Sequence, residues 1–339
     1  MTSALNRSGR SGRSGRSDKG KRRRDQHQMV PDATFTSYYG RPVVKASPWQ
    51  ADIPAYLFLG GLAGGSSLLA AGADLTGRPA LRRASRLGAA GAISLSFAAL
   101  VHDLGRPSRF INMLRVAKLT SPMSVGTWIL SAYGPAAGLA GAAELAPAIA
   151  NRLPALARSL SWAGRPAGLA AAAAGPAVAS YTAALLADTA TPVWSGARRE
   201  LPFVFAGSAA AAAGGWGMLC APPDQAGPAR RLAVAGALTE LAAERVLDGS
   251  LGMVAEPLRQ GSAGVLMRAS TALTAAGALG ALVGRRSRLV SGVAGAALLA
   301  GSACTRFGIF EAGQASARDP RYTVVPQRAR IERGESAGG

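Results

Sequence analysis

His102 and Asp103 stand side by side where an uninterrupted apolar run, GAAGAISLSFAALV, gives way to LGRPSRF. An imidazole titrates near neutral pH and both donates and accepts a hydrogen bond, and a carboxylate beside it can take or return a proton. Such a pair suits a carbonyl or hydroxyl head group that exchanges protons. The residues that follow are a helix stop, because Gly105 tolerates a left-handed cap and Pro107 cannot continue the hydrogen-bond ladder. Arg106 and Arg109 are then placed to pair with Asp103 or with lipid phosphate.

A second group lies in ARRLAVAGALTELAAERVLDGS, where Glu240, Glu244 and Asp248 recur at i, i+4 and i+8. That spacing makes one slowly drifting stripe on a helix, with Arg245 in reach of Asp248 at i+3. Carboxylates in a row at membrane depth can relay protons. The same pattern also fits an amphipathic helix lying partly at the interface with its charges solvated.

Other chemistries are excluded by composition. The chain has two histidines, and His27 belongs to a basic arm, so only His102 remains for the apolar body and a bis-histidine haem cannot be built. Two cysteines, Cys220 and Cys304, are too few for an iron–sulfur cluster and lack metal-ligand spacing. Walker, dinucleotide-turn and nucleophile–base patterns are missing as well. The expectation is a chain with no metal, haem or cluster of its own. If it takes part in redox chemistry, partners bring the metal centres and the membrane brings a diffusible organic carrier.

The elements that must position these residues are membrane helices. About half of the 339 residues are apolar, and charges are sparse from Ile53 to Thr305 but crowd both ends. A helix of about 20 mostly apolar residues crosses the roughly 30 Å hydrocarbon layer, and barrel strands would show an alternation that is missing here. The apolar runs predict eight helices: about Ile53–Ala73, Leu87–His102, Met123–Leu145, Ala167–Ala187, Leu201–Cys220, Ala229–Leu247, Gly264–Val283 and Leu289–Gly308. The fold class is therefore all-α, a polytopic transmembrane bundle over 49–310. A disordered basic arm over 1–48 precedes it and a polar tail over 311–339 follows. The first helix carries Gly60, Gly61, Gly64 and Gly65, a small-residue pattern that admits a close neighbour.

The net charge of +20 is carried largely by the tails and loops, with eleven Lys/Arg before the first helix. Basic flanks beside apolar spans suit anionic lipid and topology selection better than nucleic acid. Eight spans put both termini on one face, here side A. The arm would otherwise have to be translocated, so cytoplasmic termini in a multi-pass cell-membrane protein are expected. Asp52 and Tyr56 fall at the side-A start of the first helix, and His102, Asp103 and Arg106 at the side-A exit of the second. Tyr181 lies in the fourth, seven residues before Asp188 and so roughly 10 Å inside the same face.

The strings WQADIPAYLFLGGLAGGSSLL, DLGRPSRFINMLRVAKLTSPMSVGTWIL, SYTAALLADTATPVW with ELPFVFAGSA, and DPRYTVVPQRAR together resemble the NrfD/PsrC-type membrane subunits of polysulfide reductases and related molybdopterin oxidoreductases. The resemblance runs from about Trp49 to Arg330. It implies a bundle of eight or more helices without haem that binds a quinone head group, menaquinone or ubiquinone. It also implies a ferredoxin-like 4Fe-4S subunit docked on the quinone side and a molybdopterin catalytic subunit beyond. By position, the family's quinone contacts fall on Asp52, Tyr56 and Tyr181. His102 and Asp103 would supply or accept protons, and Arg106 and Arg109 would serve docking or electrostatics. Glu240, Glu244 and Asp248 are the candidate proton route. The competing readings are a secondary transporter or proton-translocating protein, and a structural tether that binds no quinone.

Overall fold

A computed structural model describes residues 41–105, 112–115 and 117–332, and every regular element among them is helical. Eight long helices run through it: α1 (Asp52–Leu75), α2 (Pro79–Asp103), α3 (Pro122–Ala143), α4 (Pro154–Ala187), α5 (Leu201–Cys220), α6 (Gly227–Ser250), α7 (Gly261–Val283) and α8 (Arg288–Arg318). Six of these, α1, α2, α4, α5, α7 and α8, are long and apolar enough to cross a membrane. The chain is an all-α, multi-pass membrane bundle. Shorter helices at Ala146–Ile149, Pro192–Gly196 and Glu256–Arg259 fill connections, and a last helix, Arg321–Glu332, follows α8.

Several helices outrun the apolar stretches that announce them. α2 begins at Pro79, α4 at Pro154, and α8 continues to Arg318. The added turns carry arginines, which hydropathy alone removes from a span, and the tertiary structure supplies their partners. Arg82 Nε and Arg86 Nη1 lie 2.8 and 2.9 Å from Glu144 Oε1, at the end of α3. Asp74, near the end of α1, takes Arg82 at 3.3 Å, Arg86 at 3.7 Å and Arg165 of α4 at 3.5 Å. This cluster ties together the side-B ends of α1 to α4. Arg86 passes over bare backbone to reach it, since a Cβ at Gly168 would fall 2.9 Å from its Nη2.

The helices divide into two neighbouring sets, α1 to α4 and α5 to α8, with α1 packed against α4 and α5 as well as α2. Small residues make that central position possible. Gly64 and Gly175 face each other so closely that a Cβ on either would lie 2.5 or 2.6 Å from the other's carbonyl oxygen. Gly65 meets the Ala209 carbonyl of α5 in the same way, at 2.7 Å. The glycines of α1 thus pack it against two helices at once, as small-residue interfaces do in lipid, where close van der Waals approach replaces the hydrophobic effect.

At side A a tryptophan closes the structure. Trp194, in the short helix after α4, is buried; its Nε1 donates to Ile309 O at 2.9 Å, and its ring stacks on Trp49 with centroids 6.0 Å apart. Gln314 of α8 donates from Nε2 to the backbone carbonyls of Ser47 and Trp49, at 3.0 and 3.2 Å. The segment leading into α1 is thereby held against the side-A end of α8.

Candidate functional site

Between the side-A halves of α1, α2, α3 and α4 lies a cavity of about 230 Å³. Its walls are mainly apolar, with Trp49 from the strapped segment, Ile53, Leu100 and Leu130, and its polar groups come from Tyr56, Asp103, Thr127 and Tyr181. Each polar side chain is there because a different helix reaches side A at that point. Tyr56 sits one turn into α1, Asp103 ends α2, Thr127 lies one turn into α3, and Tyr181 sits less than two turns before α4 ends.

The Tyr181 hydroxyl is buried and has no hydrogen-bond partner among the described residues. A phenol in that position is costly unless something accepts its proton. Of the other phenols of this half, Tyr133 is already satisfied by Ser67 Oγ at 2.8 Å, and buried Tyr56 lines the same cavity as Tyr181. Tyr181 is held in place by the absence of a side chain at Gly126 of α3, where a Cβ would collide with its ring.

The residues singled out by sequence do not all meet here. Tyr56, Asp103 and Tyr181 line one cavity. Asp52 and His102 form a separate pair, with Nδ1 2.9 Å from Asp52 Oδ2, and the imidazole is 79% exposed. The neighbours His102 and Asp103 therefore diverge, one toward the surface and one toward the cavity, because successive helix residues point about 100° apart. Asp103 takes a hydrogen bond from the backbone of Gln50. Arg106 and Arg109 lie outside the described residues.

The carboxylate stripe of α6 climbs from the interior to side A. Glu240 is fully buried and accepts a 2.6 Å hydrogen bond from Thr305 of α8. Glu244, nearly two turns before the side-A end of α6, lines a second cavity of about 660 Å³ between α6 and α7; Asp248, Arg268 and Thr271 line it too. Asp248 is paired with Arg259, at 2.6 Å, rather than with Arg245. Arg259 leaves the short helix after α6 pointing back at the carboxylate, and its two nitrogens engage both oxygens, a geometry a same-helix neighbour rarely attains.

One interior residue was not singled out from the sequence. Arg306 of α8 is fully buried, lies 3.7 Å above the Phe205 ring and donates to Phe205 O at 2.8 Å. Its Nε and Nη1, like Glu240 Oε2, lack partners among the described residues. The signal was present: a lone arginine inside ACTRFGIF must face the bundle interior. The Asp74, Arg86 and Glu144 cluster was missed for a different reason, since its members are scattered over helix ends and become neighbours only when the helices pack.

A model of the NrfD family, described as polysulphide reductase, matches residues 43–241, more than half of the chain. The chain belongs to that family. The NrfD match takes in α1 to α5 and α6 as far as Leu241, and with them the whole side-A cavity and Glu240. An NrfD protein is a membrane subunit of a polysulfide reductase-like complex, in keeping with the helical bundle. None of the curated proteins matches the sequence. Among the described residues no group of three or more His, Cys, Asp or Glu is arranged to hold a metal ion.

Proposed function

We propose that this NrfD-family chain is the quinone-reactive anchor of its complex, in a bacterial inner membrane with cytoplasmic termini. It exchanges electrons between menaquinone or ubiquinone and a ferredoxin-like 4Fe-4S subunit on side A, with a molybdopterin subunit beyond. The single observation that carries this reading is the partnerless Tyr181 hydroxyl in an apolar cavity it shares with Tyr56 and Asp103. A cavity of this size suits an aromatic head group whose oxygens need hydrogen-bond donors.

A quinol gives up two electrons and two protons when oxidised, and its quinone takes up the same on reduction. Tyr181 Oη donates to one head-group oxygen, and Tyr56 offers a second hydroxyl on the neighbouring helix. Asp103 is the group in the cavity that can take or return a proton, acting as a general acid–base. Asp52 and His102 form an exposed pair just outside, which would pass protons on to the surface. Ile53, Leu100 and Leu130 keep water away from the reacting oxygens. Arg106 and Arg109 retain their reading as docking or electrostatic residues.

Buried Glu240 and cavity-lining Glu244 support a proton route along α6 with Asp248 at its side-A end, because ionisable groups at membrane depth otherwise only cost stability. In the assembled complex, Tyr181→Phe is expected to depress quinone-linked turnover while leaving dye-linked activity of the catalytic subunit intact. Equal loss of both removes Tyr181 from the quinone site. Lipid extraction of the purified complex tests the tether reading, which requires that no stoichiometric quinone be recovered.

A further inference from the structure

A basic cavity lies on the opposite face from Tyr181. At side B, where α6 begins and α7 ends, Arg78, Arg230, Arg231 and Arg285 surround an open cavity of about 740 Å³, with Asp224 as its one acidic member. Several arginines at this face already have partners. Arg82, Arg86 and Arg165 are neutralised by Asp74 and Glu144. Arg288 caps the end of α5, donating to the carbonyls of Met218, Leu219 and Ala221. None of the four cavity arginines has an ion pair among the described residues, and Arg230 and Arg285 are close enough to repel one another. Arg230 donates from Nη2 to Pro223 O at 2.8 Å, while its Nη1 is buried with no partner.

The remaining wall is apolar and turned outward. Val234 and Leu238 of α6 and Leu282 of α7 continue from the arginines toward the middle of the bundle, with Leu238 63% and Leu282 56% exposed. A helical surface that is exposed and apolar at membrane depth is covered by acyl chains. A ring of guanidinium groups at the end of the same groove requires an anion, and guanidinium forks match phosphate oxygens in pairs. One molecule with both properties is a phospholipid with a negatively charged head group.

We infer that the groove between α6 and α7 at side B is a binding site for an anionic phospholipid, its phosphate held by Arg78, Arg230, Arg231 and Arg285 and its chains lying along Leu238 and Leu282. Four cationic groups against one carboxylate leave room for two phosphates, so cardiolipin is the expected best occupant. Basic pockets between membrane helices take head groups of this kind.

The test uses the complex purified in detergent, incubated with cardiolipin, phosphatidylglycerol or phosphatidylcholine and read by native mass spectrometry. Wild type is expected to retain cardiolipin and phosphatidylglycerol and to lose phosphatidylcholine. Arg231 and Arg285 are exposed, so the double variant R231Q/R285Q is expected to fold, with an unchanged melting temperature in lipid-free detergent. Its cardiolipin affinity should fall about thirtyfold, the worth of two basic side chains beside an anionic head group. Cardiolipin should raise the melting temperature of wild type and not of the variant. Retention of phosphatidylcholine equal to cardiolipin overturns the proposal, as does unchanged affinity in the variant. Inorganic phosphate giving the same stabilisation as cardiolipin would show a free-anion site and overturn it too.

Discussion

The ring of Tyr181 occupies the space that a Cβ at Gly126 would need. A helix-to-helix contact with no side chain on one partner thus decides where the partnerless hydroxyl points. Gly126→Ala should push the ring out of line with the cavity while disturbing the fold only as overpacking does, by about 1–3 kcal/mol. Quinone-linked turnover should fall up to roughly 100-fold, as misplacement by an ångström does elsewhere. Paired assays with a quinol and with a soluble dye measure it; a normal quinol rate would mean that Tyr181 has no positioning role.

Asp103 and His102 should separate functionally as they separate in space. Asp103→Asn removes the carboxylate of the cavity, and if that group exchanges protons as proposed, quinone-linked turnover should drop on the order of 100-fold. His102→Gln leaves the cavity untouched and strips only the exposed partner of Asp52, so the loss should be under about 10-fold, since water can replace an exposed relay group. Turnover recorded from acid to alkaline pH for both variants checks the order; a larger loss for His102→Gln reverses the assignment.

Glu244 lines the second cavity and Glu240 lies one turn deeper, buried against Thr305. If α6 carries protons, Glu244→Gln in reconstituted vesicles should abolish quinol-linked proton translocation and leave electron transfer within about twofold, because the proposed quinone site lies among α1 to α4. Vesicle pH measured against dye reduction distinguishes this from the amphipathic-helix reading, under which the wild type moves no protons across the membrane.

Glu144 is shared by Arg82 and Arg86, and both Glu144 and Arg86 are buried. Removing its charge leaves the two guanidinium groups with Asp74 alone. Glu144→Gln should destabilise the protein by roughly 3 kcal/mol, as breaking a buried pair does. Thermal unfolding in detergent measures the loss, and Arg86→Met added to Glu144→Gln should recover part of it.

The all-α bundle was legible in the sequence, because each apolar run must bury or satisfy its backbone in lipid and only a helix does so locally; of the eight runs read as spans, six lie in helices long and apolar enough to cross a membrane. The ends were less legible. The turns of α2 before Leu87 fell outside the apolar run because Arg82 and Arg86 are costly at depth, and the carboxylates of α1 and α3 pair with them there. Tyr181 could be placed near side A by counting 1.5 Å per residue, and Tyr56 and Asp103 likewise fell at that face.

Depth alone could not say which way a side chain turns. Sequence placed polar groups from the first, second and fourth helices at one end of the bundle, since helix length and order suffice for that. Only the tertiary structure decided that Tyr56, Asp103 and Tyr181 enter one cavity while His102 turns outward to Asp52, and that Arg306 meets Phe205. Rotation of each helix about its axis is set by what it packs against, by glycines such as Gly64, Gly126 and Gly175 that let one particular face approach, and these contacts join residues far apart in the chain.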